Sequence, residues 1–168
     1  LDPQTWKRGV LEVSAAPVDL RFLNEGSAGG RGFVRPVGDH LEFEDGSPAR
    51  FWGANLAAHA LFVDDDAIEA QARRIAQLGF NLVRIHHHDS TRWVDPTVID
   101  KSREDSRHLD AKGLERLDRW ITELKGQGVY IWLDLHVGRQ LKRGDVDTPW
   151  GQLVGFEYPA LARLAGTY

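Results

Sequence analysis

Residues 79–90 read Gly-Phe-Asn-Leu-Val-Arg-Ile-His-His-His-Asp-Ser. The stretch before them carries apolar residues at helical spacing, namely Ile68, Ala72, Ile75 and Leu78. Gly79 is a suitable residue to end that helix, since glycine tolerates the left-handed backbone that follows a helix C-terminus. The apolar run that continues to Ile85 then predicts a strand. The segment therefore predicts a helix, a sharp stop, a strand and a cluster of polar side chains where the strand ends.

The same alternation of strand and helix extends in both directions along the chain. A short apolar run at residues 51–56 predicts a strand, and Asp64-Asp65-Asp66 supplies acids for a helix start, with Asp66 and Glu69 spaced as a capping box. Asp110 is placed to cap a second helix, whose apolar stripe is Leu114, Leu117, Ile121 and Leu124. Residues 129–135 are nearly all apolar, as in parallel strands covered on both faces. The order is β-α-β-α-β, with connections long enough for parallel crossovers.

Two α/β architectures fit this order, a doubly wound sheet and a barrel. A closed eight-stranded (β/α) barrel takes about 250 residues, and the chain has 168. Residues 33–52 alternate as a β-meander, in which Pro36 predicts an edge strand and Asp45-Gly46 a tight turn. On the barrel interpretation, residues 1–50 form an N-terminal extension with β-hairpins. Residues 51–168 then form the first three βα units of a TIM barrel, and we expect this barrel to be incomplete.

Composition excludes several classes of function. Lys and Arg number 21 and Asp and Glu 25, a net charge of −4, so no basic excess favours nucleic acid or an anionic membrane. There is no cysteine for a disulfide or a thiolate metal site. The Gly-rich stretch 26–32 lacks the strand before it and the helix after it that a phosphate-binding loop needs. We therefore expect no cofactor and no nucleic-acid or membrane partner.

Polar side chains gather where the three predicted strands end, which is where parallel α/β folds place their active sites. The predicted rim holds Asn55 and His59 after the first strand, Arg84, His86, His88 and Asp89 at the second, and Asp134, His136 and Arg139 at the third. If the strand stays extended, Arg84, His86 and His88 share one face, as do Asp134 and His136. An arginine there can hold a carboxylate in its charged form, and a histidine can bond a substrate hydroxyl. A structural ion pair is the other interpretation of Arg84, and a structural hydrogen bond that of His136.

Three segments resemble the retaining clan of glycoside hydrolases that includes the family 5 cellulases. Residues 50–56, Arg-Phe-Trp-Gly-Ala-Asn-Leu, look like that clan's entry into its barrel, and residues 78–85 look like its second strand with an active-site arginine. Residues 130–136, Tyr-Ile-Trp-Leu-Asp-Leu-His, look like its third strand, whose histidine lines the substrate cleft. The β-meander within residues 1–50 resembles the hairpin that closes the barrel bottom in many members of the clan, which implies that residues 1–50 cap the barrel bottom. The likeness covers roughly residues 33–140.

The resemblance implies hydrolysis of β-linked poly- or oligosaccharides with retention, by two glutamates after the fourth and at the seventh strand. It transfers Arg84 and His136 in supporting roles and weakly favours a secreted or periplasmic location. No Asn-Glu pair follows the third predicted strand, and Glu157 is the only glutamate after His136. We therefore expect the catalytic glutamates and remaining strands to come from the same parent protein or another chain, and this chain alone to be inactive. Trp93 could stack on a sugar ring.

Two alternatives stay open. His86-x-His88 has the spacing with which metal-dependent barrel hydrolases bind Zn²⁺, and His59, Asp89 and His136 could add ligands. Such enzymes usually carry the pair on their first strand, and for this reason we assign no metal site. The chain could also be a fragment that binds carbohydrate, or simply folds, without catalysis.

Overall fold

A computed structural model describes residues 18–92 and 94–145 of the chain. Its regular elements are strands β1 (Val34–Val37), β2 (His40–Phe43) and β3 (Gly53–Ala57), helix α1 (Asp65–Gln77), strand β4 (Leu82–His86), helix α2 (Ala111–Gly126) and strand β5 (Tyr130–Leu133). Three 3₁₀ turns complete the list, at Arg21–Leu23, Ala58–Leu61 and Arg143–Asp145. In the described ranges, no helix has the length and apolar character needed to cross a membrane.

The predicted β-α-β-α-β order is confirmed, and it forms a parallel sheet in the order β3-β4-β5. β1 and β2 form a separate antiparallel pair. The meander prediction is right for these two strands, whereas its third segment makes only an isolated bridge from Glu42 to Pro48. The fold is thus α/β with a parallel sheet of three strands in the described part of the chain.

Helix α1 starts at a different aspartate from the one in the predicted capping box. Asp64 is the N-cap, and its side chain accepts a hydrogen bond from the Ala67 backbone N–H at 2.8 Å. Asp66 lies inside the first turn, so the predicted Asp66–Glu69 box is wrong. Gly79 follows the C-cap with φ of 84°, as predicted.

Helix α2 is capped as predicted and carries the largest buried side chain. Asp110 accepts a hydrogen bond from Gly113 N–H at 2.7 Å. Trp120, which the predicted stripe omits, is fully buried and donates from Nε1 to the carbonyl of Leu61 at 2.9 Å. This bond ties α2 to the turn that follows β3.

In the described ranges, helices cover only one face of the parallel sheet. Leu56, Val83 and Ile85 are buried in one cluster with the apolar sides of α1 and α2. The residues that alternate with them point to the opposite face, where Trp132 is 62% exposed. The prediction that the β5 segment is covered on both faces is therefore wrong for the described residues. We call the uncovered side the open face, defined by the strand-neighbour row Asn55, Arg84 and Trp132.

The β1–β2 pair lies at the amino ends of the parallel strands. The Phe43 ring of β2 is 5.3 Å from that of Tyr130, the first residue of β5, and 6.0 Å from that of Phe51, just before β3. These contacts place the hairpin at the end of the sheet opposite the predicted rim.

Candidate functional site

The open face carries its charged groups toward the carboxyl ends of the strands. Asn55 of β3 pairs in register with Arg84 of β4, and Arg84 pairs with Trp132 of β5. All three residues are exposed. The next positions toward the carboxyl ends are His86, the last residue of β4, and Asp134, just after β5. Parallel strand register therefore brings an amide, a guanidinium, an imidazole, a carboxylate and an indole to one surface.

Asp134 is the hub of this cluster. Its carboxylate accepts a hydrogen bond from Arg84 Nε at 3.2 Å, forms a salt bridge with Arg84 Nη2 at 2.7 Å, and also contacts His86 Nδ1. The Asp134 side chain is 11% exposed. Burial raises its pKa, but the hydrogen bonds and charges of Arg84 and His86 outweigh burial, so that the pKa lies below the usual carboxyl value. Asp134 is therefore an ionised acceptor between two donors.

The strand ends in a turn that has an unusual backbone. His87 follows β4 with φ of 59°, a left-handed conformation that non-glycine residues adopt at a free-energy cost. Its ring centroid lies 4.0 Å from that of His86, and its Nδ1 is 2.9 Å from Ser90 Oγ. Burial lowers the pKa of His87. The left-handed turn packs a second imidazole against the one that Asp134 holds.

The turn also separates His88 from the other predicted site residues. We predicted that Arg84, His86 and His88 share a strand face, and this is wrong for His88 because the extended backbone stops at His86. His88 is 6% exposed, burial lowers its pKa, and its carbonyl accepts from Val98 N–H and Thr97 Oγ1. Within the described ranges, Nδ1 of His88 is buried without a hydrogen-bond partner. His88 is thus a buried residue beneath the site.

Asp89 joins the ends of β4 and β5. It is 3% exposed, and its two oxygens accept the backbone N–H groups of Val137 and Gly138 at 2.9 and 3.0 Å. A Cβ on Gly138 would collide with Ser90 Oγ, so glycine is needed for this close approach. Asp89 therefore positions the segment after β5. The predicted contact of Asp89 with substrate stays a prediction.

His136 lies within that segment. It is flanked by Asp134, which is held by Arg84, and by Val137, which is held by Asp89. Its backbone is thereby fixed beside the end of β4, as the predicted rim requires, and the residue is partly buried. Asn55, Arg84 and the backbone around His136 thus belong to one edge of the sheet.

Two other predicted site residues lie in the segments that follow β3 and β5. His59 is exposed in the 3₁₀ turn that follows β3. Arg139 donates from Nε to Ser106 Oγ at 2.9 Å. Trp93 lies outside the described residues. The predicted substrate contacts of these three side chains stay predictions.

Arg139 belongs to a loop cluster around Asp145, which sequence reasoning missed. The Asp145 side chain is 3% exposed, and its Oδ2 accepts from Ser106 N–H, Ser106 Oγ and Lys142 N–H at 2.9, 2.7 and 2.7 Å. Burial raises the pKa of Asp145. These hydrogen bonds and the nearby Arg139 charge lower it by more than burial raises it, so the pKa lies below the usual carboxyl value. The Asp145 cluster holds two loops together.

The metal hypothesis finds no support in the described residues. They contain no group of three or more His, Asp or Glu side chains arranged to hold a metal ion. His86 Nδ1 is engaged by Asp134, and His88 is buried on the other side of the left-handed turn.

A surface cavity of about 720 Å³ lies away from this cluster. It is formed by the loop around Asp95 and Lys101 and by the start of α2, near Arg116. Its charges are mixed, and Lys101 pairs with Asp95 at 3.1 Å. None of its lining residues belongs to the Arg84–Asp134–His86 cluster, which offers the denser set of reactive groups.

Comparison of the chain with protein-family models, with curated proteins and with solved structures gives no match.

Proposed function

We propose that this chain is the leading part of a retaining glycoside hydrolase with a (β/α)₈ barrel, similar to the clan that includes family 5. The observation that carries the proposal is the open face. It combines Arg84, His86 and Asp134 at the carboxyl edge of a parallel sheet with the exposed indole of Trp132. Charged hydrogen-bonding groups beside an aromatic ring are the chemistry that recognises a sugar.

The polarity of the open face favours a barrel over a doubly wound sheet. In a doubly wound fold, helices cover both faces, and the strands are apolar on both sides. Here the row on the open face contains an amide and a guanidinium, Asn55 and Arg84, which would be costly to bury under a second helical layer. In a barrel this face is the interior, and polar residues near its carboxyl edge belong to the active site.

The carboxylate on the open face is a supporting group in this proposal. A retaining glycosidase needs two carboxyl groups about 5–5.5 Å apart, one of them a nucleophile and the other an acid and base. Asp134 is occupied by Arg84 and His86 and has little exposed surface, which makes it a poor nucleophile. We assign Arg84, His86 and His136 to substrate and carboxylate positioning. The two catalytic glutamates would come from strands outside the sequence described here.

Hydrolysis with a defined stereochemical course tests this function. The complete polypeptide encoded by the gene is assayed on β-glucans and β-mannans, and the anomer released first is read by proton NMR. We expect hydrolysis with retention. Inversion, or no hydrolysis on a broad panel of β-linked glycans, would contradict the proposal.

Two arginine variants distinguish a specific role of Arg84 from the general effect of losing a positive charge. We expect Arg84→Ala to lower kcat/KM by about 100-fold or more, the size of effect found when a positioned donor is removed. Arg73→Ala is the matched control, because Arg73 is exposed on α1 and pairs with Glu69 at 2.6 Å. It should retain activity. Equal losses in both variants would show that Arg84 has no special role.

Carbohydrate binding without catalysis is a second candidate, favoured by the 62% exposure of Trp132 on β5, next to Arg84 on the open face. Binding of β-linked oligosaccharides that Trp132→Ala abolishes, together with no hydrolysis by the complete polypeptide, would favour this candidate. Trp52→Ala is the matched control, since Trp52 is 69% exposed but lies before β3, stacked on Phe80.

A further inference from the structure

The contact between His86 and Asp134 defines which nitrogen of the imidazole faces protein. Nδ1 of His86 contacts Oδ2 of Asp134, and the same oxygen forms a salt bridge with Arg84 Nη2 at 2.7 Å. The other carboxylate oxygen accepts from Arg84 Nε at 3.2 Å. No described residue hydrogen-bonds Nε2 of His86, and the His86 side chain is 21% exposed. The ring therefore has one nitrogen on the protein and one available to a ligand.

The proton in this contact belongs to His86. A guanidinium can only donate, and an ionised carboxylate can only accept. Burial raises the pKa of Asp134, but the hydrogen bonds and charges of Arg84 and His86 lower it below the usual carboxyl value. The carboxylate is therefore ionised. The hydrogen that joins it to His86 is then the Nδ1 hydrogen. In a neutral imidazole the second nitrogen, Nε2, carries a lone pair and no hydrogen.

The surroundings hold the ring in this orientation. The His87 ring packs edge-on against His86 with an interplanar angle of 62°. His87 is in turn bonded to Ser90, and the left-handed backbone at His87 fixes its direction. A ring held by Asp134 on one side and by His87 on another is preorganised for a ligand.

We propose that Asp134 is a positioning residue that fixes His86 as the Nδ1–H tautomer, so that His86 Nε2 accepts a hydrogen bond from a ligand hydroxyl at the open face. The ligand class is a hydroxyl-rich molecule, and its identification as a β-linked sugar rests on the proposed function. His86 thereby becomes a specificity-determining residue that selects a hydroxyl donor over an acceptor group.

Two substitutions at Asp134 separate the hydrogen bond from the charge. In Asp134→Asn the amide oxygen can take the Oδ2 place and face both Arg84 Nη2 and His86 Nδ1. The amide NH₂ then takes the Oδ1 place, where the longer hydrogen bond from Arg84 Nε is lost because both groups are donors. We expect this variant to keep the Nδ1–H tautomer. Asp134→Leu has no acceptor, and His86 should then move its hydrogen to Nε2.

Nitrogen-15 NMR reads the tautomer directly, whatever the function. Long-range ¹H–¹⁵N spectra of the histidine-labelled chain are recorded at alkaline pH, with His86→Gln to assign the signals. We expect Nδ1–H in the wild type and in Asp134→Asn, and a shift toward Nε2–H in Asp134→Leu. His59, exposed in the turn after β3, is the internal control and should not change. A wild-type His86 with hydrogen on Nε2, or no change in Asp134→Leu, would overturn the proposal.

A binding titration tests the ligand side of the same proposal. Soluble β-linked gluco- and manno-oligosaccharides are titrated by NMR into the complete polypeptide as wild type, Asp134→Asn and Asp134→Leu. We expect Asp134→Leu to weaken binding about tenfold, equivalent to about 1.4 kcal/mol, and Asp134→Asn to bind within about threefold of the wild type. Wild-type binding that Asp134→Leu leaves unchanged would overturn the ligand role of His86. Absence of wild-type binding would instead count against the proposed function, and the tautomer would still be decided by the spectra.

Discussion

Gly113→Ala is expected to destabilise the chain even though alanine is the better helix former. Gly113 is buried in the first turn of α2, where a Cβ would lie 2.5 Å from the carbonyl oxygen of Thr97 and 2.9 Å from the Cα of Val98. Both atoms are backbone, so no side chain can rotate away. To reach ordinary contact at 3.4 Å, the loop backbone at Thr97 must move by about 0.9 Å.

The size of the effect follows from what holds that loop. Thr97 Oγ1 and Val98 N–H donate to the carbonyl of His88 at 2.7 and 3.0 Å, and Asp110 N–H donates to the carbonyl of Val98 at 2.9 Å. Alanine gains up to about 1 kcal/mol in helix propensity. Overpacking costs about 1–3 kcal/mol, and each buried hydrogen bond that weakens adds about 1 kcal/mol. We expect a net loss of about 1–3 kcal/mol in the free energy of unfolding.

Urea denaturation followed by tryptophan fluorescence and circular dichroism measures this loss. Gly126→Ala is the matched control, because Gly126 ends the same helix and a Cβ there meets no heavy atom within 4 Å. It should leave stability unchanged or raise it by up to about 1 kcal/mol. A Gly113→Ala variant that is as stable as the wild type would refute the claimed contact between α2 and the loop.

Three further variants test other parts of the account. Asp64→Ala should cost about 1 kcal/mol by chemical denaturation because Asp64 is the N-cap, whereas Asp66→Ala should cost only a few tenths, and equal costs would contradict the assignment of the cap. Trp120→Phe should cost about 1–3 kcal/mol through the lost indole hydrogen bond and packing, and an unchanged midpoint would contradict its place in the core. Asp145→Asn should destabilise at neutral pH, by about 1–3 kcal/mol. Since the folded pKa of Asp145 is lowered, its contribution is present above the unfolded pKa and is lost as pH falls through the folded pKa. The difference in the free energy of unfolding between the wild type and Asp145→Asn should therefore decrease at acidic pH. An increase at acidic pH would refute the assignment.

The order of elements could be predicted because its signals are local. Apolar spacing, capping aspartates and terminal glycines each act within one turn, and Gly79 ends α1 with the positive φ expected of it. The sequence alone did not indicate which of Asp64, Asp65 and Asp66 is the N-cap. All three have the same chemistry, and the direction from which the chain enters the helix selects one of them.

The site could be predicted only as far as strand alternation holds. Alternation places Arg84 and His86 together, and the structure agrees. It fails at His88 because one left-handed residue, His87, redirects the chain, and no sequence rule assigns that conformation to a histidine. The role of Asp134 as hub depends on register between β4 and β5, which a strand's own sequence does not specify.

NMR mapping of sugar binding tests the central claim most directly. The complete polypeptide is titrated with soluble β-linked gluco- and manno-oligosaccharides, and backbone amide shifts are followed. The account predicts perturbations at the open face, around Asn55, Arg84 and Trp132, which Arg84→Ala removes and Arg73→Ala preserves. Perturbations confined to the outer sides of α1 and α2, or none at ligand concentrations in the millimolar range, would contradict it.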